Sequence, residues 1–120
     1  ASANWATGAR KPAGYRLAAH SIVDVGNRLV ERRLSKTGAR LKSLRAELSV
    51  IDEQLLYLGG DAEDHAIRAL VSETPGAGAE ARDAQKHVDA MLKHRAHVVD
   101  EIVELEARQD ELLDKLSATS

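Results

Sequence analysis

The sequence predicts an all-α fold: an antiparallel coiled-coil helical hairpin preceded by a basic N-terminal helix and a flexible arm. Three observations predict it. Leu34, Leu41, Leu44, Leu48, Ile51, Leu55 and Leu58 recur at the three- and four-residue steps of a helical seam. Val88, Met91, Val98, Ile102, Leu105, Leu112 and Leu116 form a second seam of the same kind. Thr74-Pro75-Gly76-Ala77-Gly78 lies between them and reads as a turn. A chain folded back at residues 74–78 pairs seam positions whose numbers add to 153, such as Leu48 with Leu105 and Leu41 with Leu112. Constant register of this kind is what two antiparallel seams require. The same rule sets Arg95 opposite Leu58, beside Gly59 and Gly60, and His65 opposite Val88.

Taken in order, residues 1–19 read as the arm, because Gly8, Pro12 and Gly14 interrupt any helical period. The stretch Ser21-Ile22-Val23-Asp24 resembles a capping box, so a basic helix is expected over 21–36. Ile22, Val25, Leu29, Val30 and Leu34 give it an apolar stripe. Ser35-Lys36-Thr37-Gly38 has low helical propensity, but Leu34 and Leu41 hold one heptad position across it, which predicts a continuous helix into the first hairpin arm, 37–73. Gly59-Gly60 costs about 2 kcal/mol relative to Ala in a helix interior, and predicts a kink or local loosening. The second arm is expected over 79–117, with Glu80 and Asp83 placed favourably in its first turns.

Composition narrows the function classes. With 120 residues, no Phe, one Trp and two Tyr, the chain fits one domain built on narrow helix–helix seams rather than a thick interior. The absence of Cys removes disulfides, thiol chemistry and Cys-ligated zinc. No run of about 18 apolar residues exists to span a membrane, and Ala1-Ser2-Ala3-Asn4-Trp5 lacks the apolar stretch of a signal peptide. The expected location is cytoplasmic. Charge is unevenly divided. Residues 1–46 carry ten Lys/Arg against two Asp/Glu, net +8, and residues 47–120 carry seven against seventeen, net −10.

No catalytic signature is present. The sequence has no Gly-rich phosphate loop and no nucleophile elbow, so it predicts no enzyme, no cofactor and no catalytic residue. Asp83, His87, His94, His97 and Glu101 share a helical stripe, but nothing makes three or four of them converge. A solvated polar face is the expected reading, with no metal site.

Two functional readings remain. The first is a coiled-coil interaction module that docks a protein partner or its own copy as a homodimer, in the manner of a regulatory or adaptor subunit. Its expected contact residues are Leu92, Val99, Val103 and Leu113, a second apolar line beside the seam, with Gly59, Gly60 and Arg95 as a notch facing a guanidinium. The second is a factor associated with nucleic acid or the transcription machinery, contacting its target through Arg10, Lys11, Arg16, Arg28, Arg32, Arg33, Lys36 and Arg40 within residues 10–45. Trp5 and Tyr15 interleave aromatics with those cations.

The segment Arg68-Ala69-Leu70-Val71-Ser72-Glu73-Thr74-Pro75, with Ala84-Gln85-Lys86-His87 and Glu106-Ala107-Arg108-Gln109-Asp110-Glu111-Leu112-Leu113, resembles small coiled-coil proteins of actinobacterial type. The resemblance covers about residues 40–117. It implies a helical hairpin and no particular activity.

Overall fold

A computed structural model of the protein describes the backbone of residues 2–119 and the side chains of residues 24–118. Two helices, α1 (Ser2–Ser72) and α2 (Pro75–Thr119), pack against each other as an all-α hairpin. Helix α1 runs without interruption through Ser35–Gly38, as the shared heptad position of Leu34 and Leu41 requires. It also continues through Gly59-Gly60 as one helix, as expected. Extending an existing helix adds one hydrogen bond per residue fixed, and this outweighs two glycines inside a long, packed run.

The boundary at the N-terminus also differs from expectation. Helix α1 begins at Ser2 rather than Ser21, so the segment read as an arm is helical. Ala3, Ala6, Ala9, Ala13, Ala18 and Ala19 supply high helix propensity there, at the cost of the hydrogen bond that Pro12 cannot donate.

The connection is tighter than the sequence suggested. Among the described residues only Glu73 and Thr74 lie outside the helices, and Pro75 opens α2 instead of closing α1. Proline suits that position because its missing N–H is one that the first helical turn leaves without a partner in any case. The Thr74 hydroxyl accepts the Ala77 N–H at 3.3 Å, and the Thr74 carbonyl accepts the Gly78 N–H at 3.2 Å, so Thr74 is the N-cap. Glu73 takes the left-handed conformation, with φ of 51°, while its N–H bonds to the Ala69 carbonyl at 3.3 Å and closes α1.

Moving the reversal from 74–78 to 73–74 changes the register by one heptad. The numbers of the cross-helix ion pairs add to 141 for Arg40 with Glu101 and Glu47 with His94, 145 for His65 with Glu80, 147 for Arg95 with Asp52, and 151 for Arg45 with Glu106. The seam pairs central to these values add to 146: Leu41 with Leu105, Leu44 with Ile102, Leu48 with Val98, Leu55 with Met91 and Ala62 with Ala84. A register of 153 would hold Glu101 level with Asp52, about 18 Å along the axis from Arg40. The 2.8 Å contact between Arg40 and Glu101 excludes that.

Two compact units share the helices: residues 39–107, and residues 1–38 with 108–120. In the first, Leu41, Leu44, Ile51, Val98 and Ile102 form the core, with Leu48, Leu55, Met91 and Leu105 partly buried around it. Burying a side chain such as Leu41 or Leu44 contributes about 1.5–3 kcal/mol. Ala62 and Ala84 are the buried residues nearest the connection, where small side chains let the backbones approach. In the second unit, Thr37 and Leu112 are buried, and Asp24, Asn27, Val30, Leu34, Gln109 and Leu116 are half-buried. This seam is markedly more polar, yet no buried side-chain donor or acceptor among the described residues lacks a partner.

The register is open to direct test. A disulfide needs Cα atoms within about 7 Å, so Leu48→Cys with Val98→Cys should cross-link on oxidation. Leu48→Cys with Leu105→Cys, displaced by about 10 Å along the axis, should not. Non-reducing mass analysis of the two variants checks this. At the connection, Glu73→Gly should raise stability by about 1 kcal/mol, because glycine adopts a left-handed conformation without the penalty borne by other residues. Thermal denaturation measures it.

Candidate docking face

The heptad places the residues beside the seam on two flanks of the 39–107 unit, and these differ in chemistry. On one flank Arg40 donates from Nε to Glu101 at 3.0 Å and from Nη2 at 3.3 Å, forming a forked pair. One heptad further along α1, Glu47 meets Nε2 of His94 at 3.0 Å. Nearer the connection, His65 lies 3.6 Å from Asp61 and 3.8 Å from Glu80. His65 therefore stands at the Glu80 level and not opposite Val88. All of these groups are partly exposed, so each pair adds little to stability. Their value is in fixing orientation and register.

The other flank begins with Arg45 and Glu106, whose charged atoms are 3.7 Å apart. One heptad on, the same offset puts Asp52 across from Val99, and two heptads on it puts Gly59 across from Leu92. Asp52 is engaged by Arg95, whose Nε donates to Oδ1 at 2.7 Å. That hydrogen bond, and then the charge of Asp52, raise the Arg95 pKa above its ordinary value, so the guanidinium stays charged. The expected pairing of Arg95 with the Gly59-Gly60 notch is therefore corrected. Arg95 belongs seven residues nearer the N-terminus of α1, bound to Asp52, because the tighter connection shifts α2 by one heptad.

Gly59 and Gly60 face open space. A Cβ built on Gly59 or Gly60 would meet nothing within 4 Å. On α2, Leu92 is 49 % exposed and Val103 61 % exposed, and Val99 is half-buried. On α1, Leu56 precedes the glycines and is 81 % exposed. Leu56, Leu92, Val99 and Val103 thus give this flank large apolar side chains around a small-residue gap. Leu113, also exposed, belongs to the other unit.

The sequence reading named exposed residues of α2 and did not name those of α1. Leu56, Tyr57, Ile67, Leu70 and Val71 are all exposed, and all lie off the seam. A helical wheel drawn from Leu41 would have shown them on the outer face of α1, where a solvated hairpin carries polar residues. Tyr57 and Leu58, with Met91 from α2, line an open groove of about 440 Å³ edged by Glu53 and Gln54.

The other candidate residues fall elsewhere. Arg28, Arg32, Arg33 and Lys36 are exposed in the second unit, and Arg40 is committed to Glu101. Arg10, Lys11 and Arg16 lie outside the described side chains. Among the described residues no group of three His, Asp or Glu is placed to hold a metal ion, and no helix is long and apolar enough to cross a membrane.

Comparison with protein-family models, curated proteins and solved structures finds no match to this chain.

The glycines make the clearest stability test. With open space at both Cβ positions, Gly59→Ala and Gly60→Ala should each stabilise the helix by about 1 kcal/mol. Urea denaturation followed by circular dichroism measures the gain. A loss would place an unseen contact at that face.

Proposed function

We propose that the protein is a non-enzymatic interaction module, which docks a protein partner or a second copy of itself through the Leu56–Gly59–Leu92–Val103 flank. The observation that carries this reading is the set of large apolar side chains left exposed on both helices, Leu56 on α1 and Leu92 and Val103 on α2, beside open space at Gly59. Exposed apolar surface contributes little to the hairpin's own stability, and clustered apolar surface marks an interaction site. Two helices also bury only one stripe each, so covering this flank adds burial that a lone hairpin lacks.

A contact surface built on the expected basic residues gains less support. Arg40 pairs with Glu101 and Arg45 lies beside Glu106, which reduces the charge α1 presents to phosphates.

Photo-cross-linking tests the docking reading. A benzoylphenylalanine at Leu92 should give protein adducts in cells, and one at Glu104, on the outer face of α2, should not. An adduct of twice the chain mass identifies a second copy. Gly59→Ala should raise thermal stability and reduce the Leu92 adducts. Equal labelling from both positions, or none, would overturn the reading.

A further inference from the structure

The unit formed by residues 1–38 and 108–120 contains a groove of about 460 Å³ lined by both helices. Arg33 and Lys36 line it from α1, and Arg108 and Lys115 from α2. Thr37 and Leu112, both buried, also line it, and Glu111 is its single carboxylate. Four cations and one carboxylate thus line it.

The placement of these charges is unusual for a coiled-coil flank. Arg33 and Arg108 occupy the heptad slots that hold Arg40 and Glu101 one heptad further on. There the slots carry opposite charges in a forked pair; here they carry two guanidinium groups. Like charges at such positions oppose helix pairing. None of Arg33, Lys36 and Arg108 has a hydrogen-bonding or ionic partner within the described residues. The sequence reading placed Arg33 and Lys36 in a basic front, but missed the other half of the cluster. Arg108 and Lys115 sit in the acidic portion of the chain and converge with α1 only through the fold.

We infer that this groove binds closely spaced phosphates, supplied either by a free polyphosphate or by a nucleic-acid backbone. Arg33 and Lys36 reach the groove from α1 and Arg108 from α2, so a run of phosphates engages cations on both helices through more contacts than one small anion offers. The guanidinium fork suits phosphate oxygens bidentately, and Lys36 adds a point charge. A bound polyanion converts the Arg33–Arg108 repulsion into two attractions through a shared partner. This inference does not depend on the docking flank, which belongs to the other unit.

The test uses the full chain at low salt with two probes, inorganic tripolyphosphate and a short fluorescein-labelled single-stranded DNA. Sodium chloride at equal ionic strength and a short polyglutamate serve as controls. Tripolyphosphate should raise the melting temperature by more than chloride does. In an Arg33→Gln, Arg108→Gln variant that rise should vanish, with affinity weakened at least roughly tenfold. The same variant without ligand should melt no lower than the wild type, because a repulsive pair has been removed. DNA binding that steepens as salt falls and is lost in the variant assigns the site to a nucleic-acid backbone. Binding of tripolyphosphate alone assigns it to a free polyphosphate. Binding of neither probe, binding retained in the variant, or a preference for polyglutamate would overturn the inference.

Discussion

The two-residue connection at Glu73-Thr74 is the constraint on which the rest of the hairpin depends. A helix is stiff along its axis, so the point at which α1 gives way to α2 determines which residues stand level on the two helices. Three local features fix that point. Glu73 adopts a left-handed conformation, Thr74 caps α2, and Pro75 takes the first helical position without sacrificing a hydrogen bond. Every ion pair across the 39–107 unit follows from this geometry. Arg40 reaches Glu101, and Arg95 reaches Asp52, only because the reversal is this tight.

Stability and specificity have different sources in that unit. Burial of Leu41, Leu44, Ile51, Val98 and Ile102 supplies the free energy that holds the helices together. The exposed ion pairs contribute little individually, but a slip of one heptad would break them all at once. Both flanks carry cross-helix pairs, Arg40 with Glu101 on one, and Arg45 with Glu106 and Arg95 with Asp52 on the other. Nearer the connection the second flank changes to Gly59 on α1 and Leu92 on α2.

The second unit is built on different terms. Its seam includes Asp24, Asn27, Thr37 and Gln109, so each heptad buries less apolar surface. Its flank carries Arg33 and Arg108 where attraction would be expected. Weak packing and like charges together make this the part of the molecule whose stability responds most to an added anion.

Much of this was legible in the chain. The three- and four-residue spacing of leucines, together with the absence of Phe and Cys, determined an all-α hairpin and its seam residues, because apolar periodicity is a local property. The α2 line of Leu92, Val99 and Val103 was readable for the same reason. Register was not, because Thr-Pro-Gly fits both a helix stop and a capped helix start, and the two readings differ by one heptad. The tertiary structure alone decided between them. It paired Arg95 with Asp52 rather than setting it beside Gly59, and joined Arg108 to Arg33 in one groove from distant parts of the sequence. Contacts between helices depend on the sum of two positions, and a single chain reveals each position but not their sum.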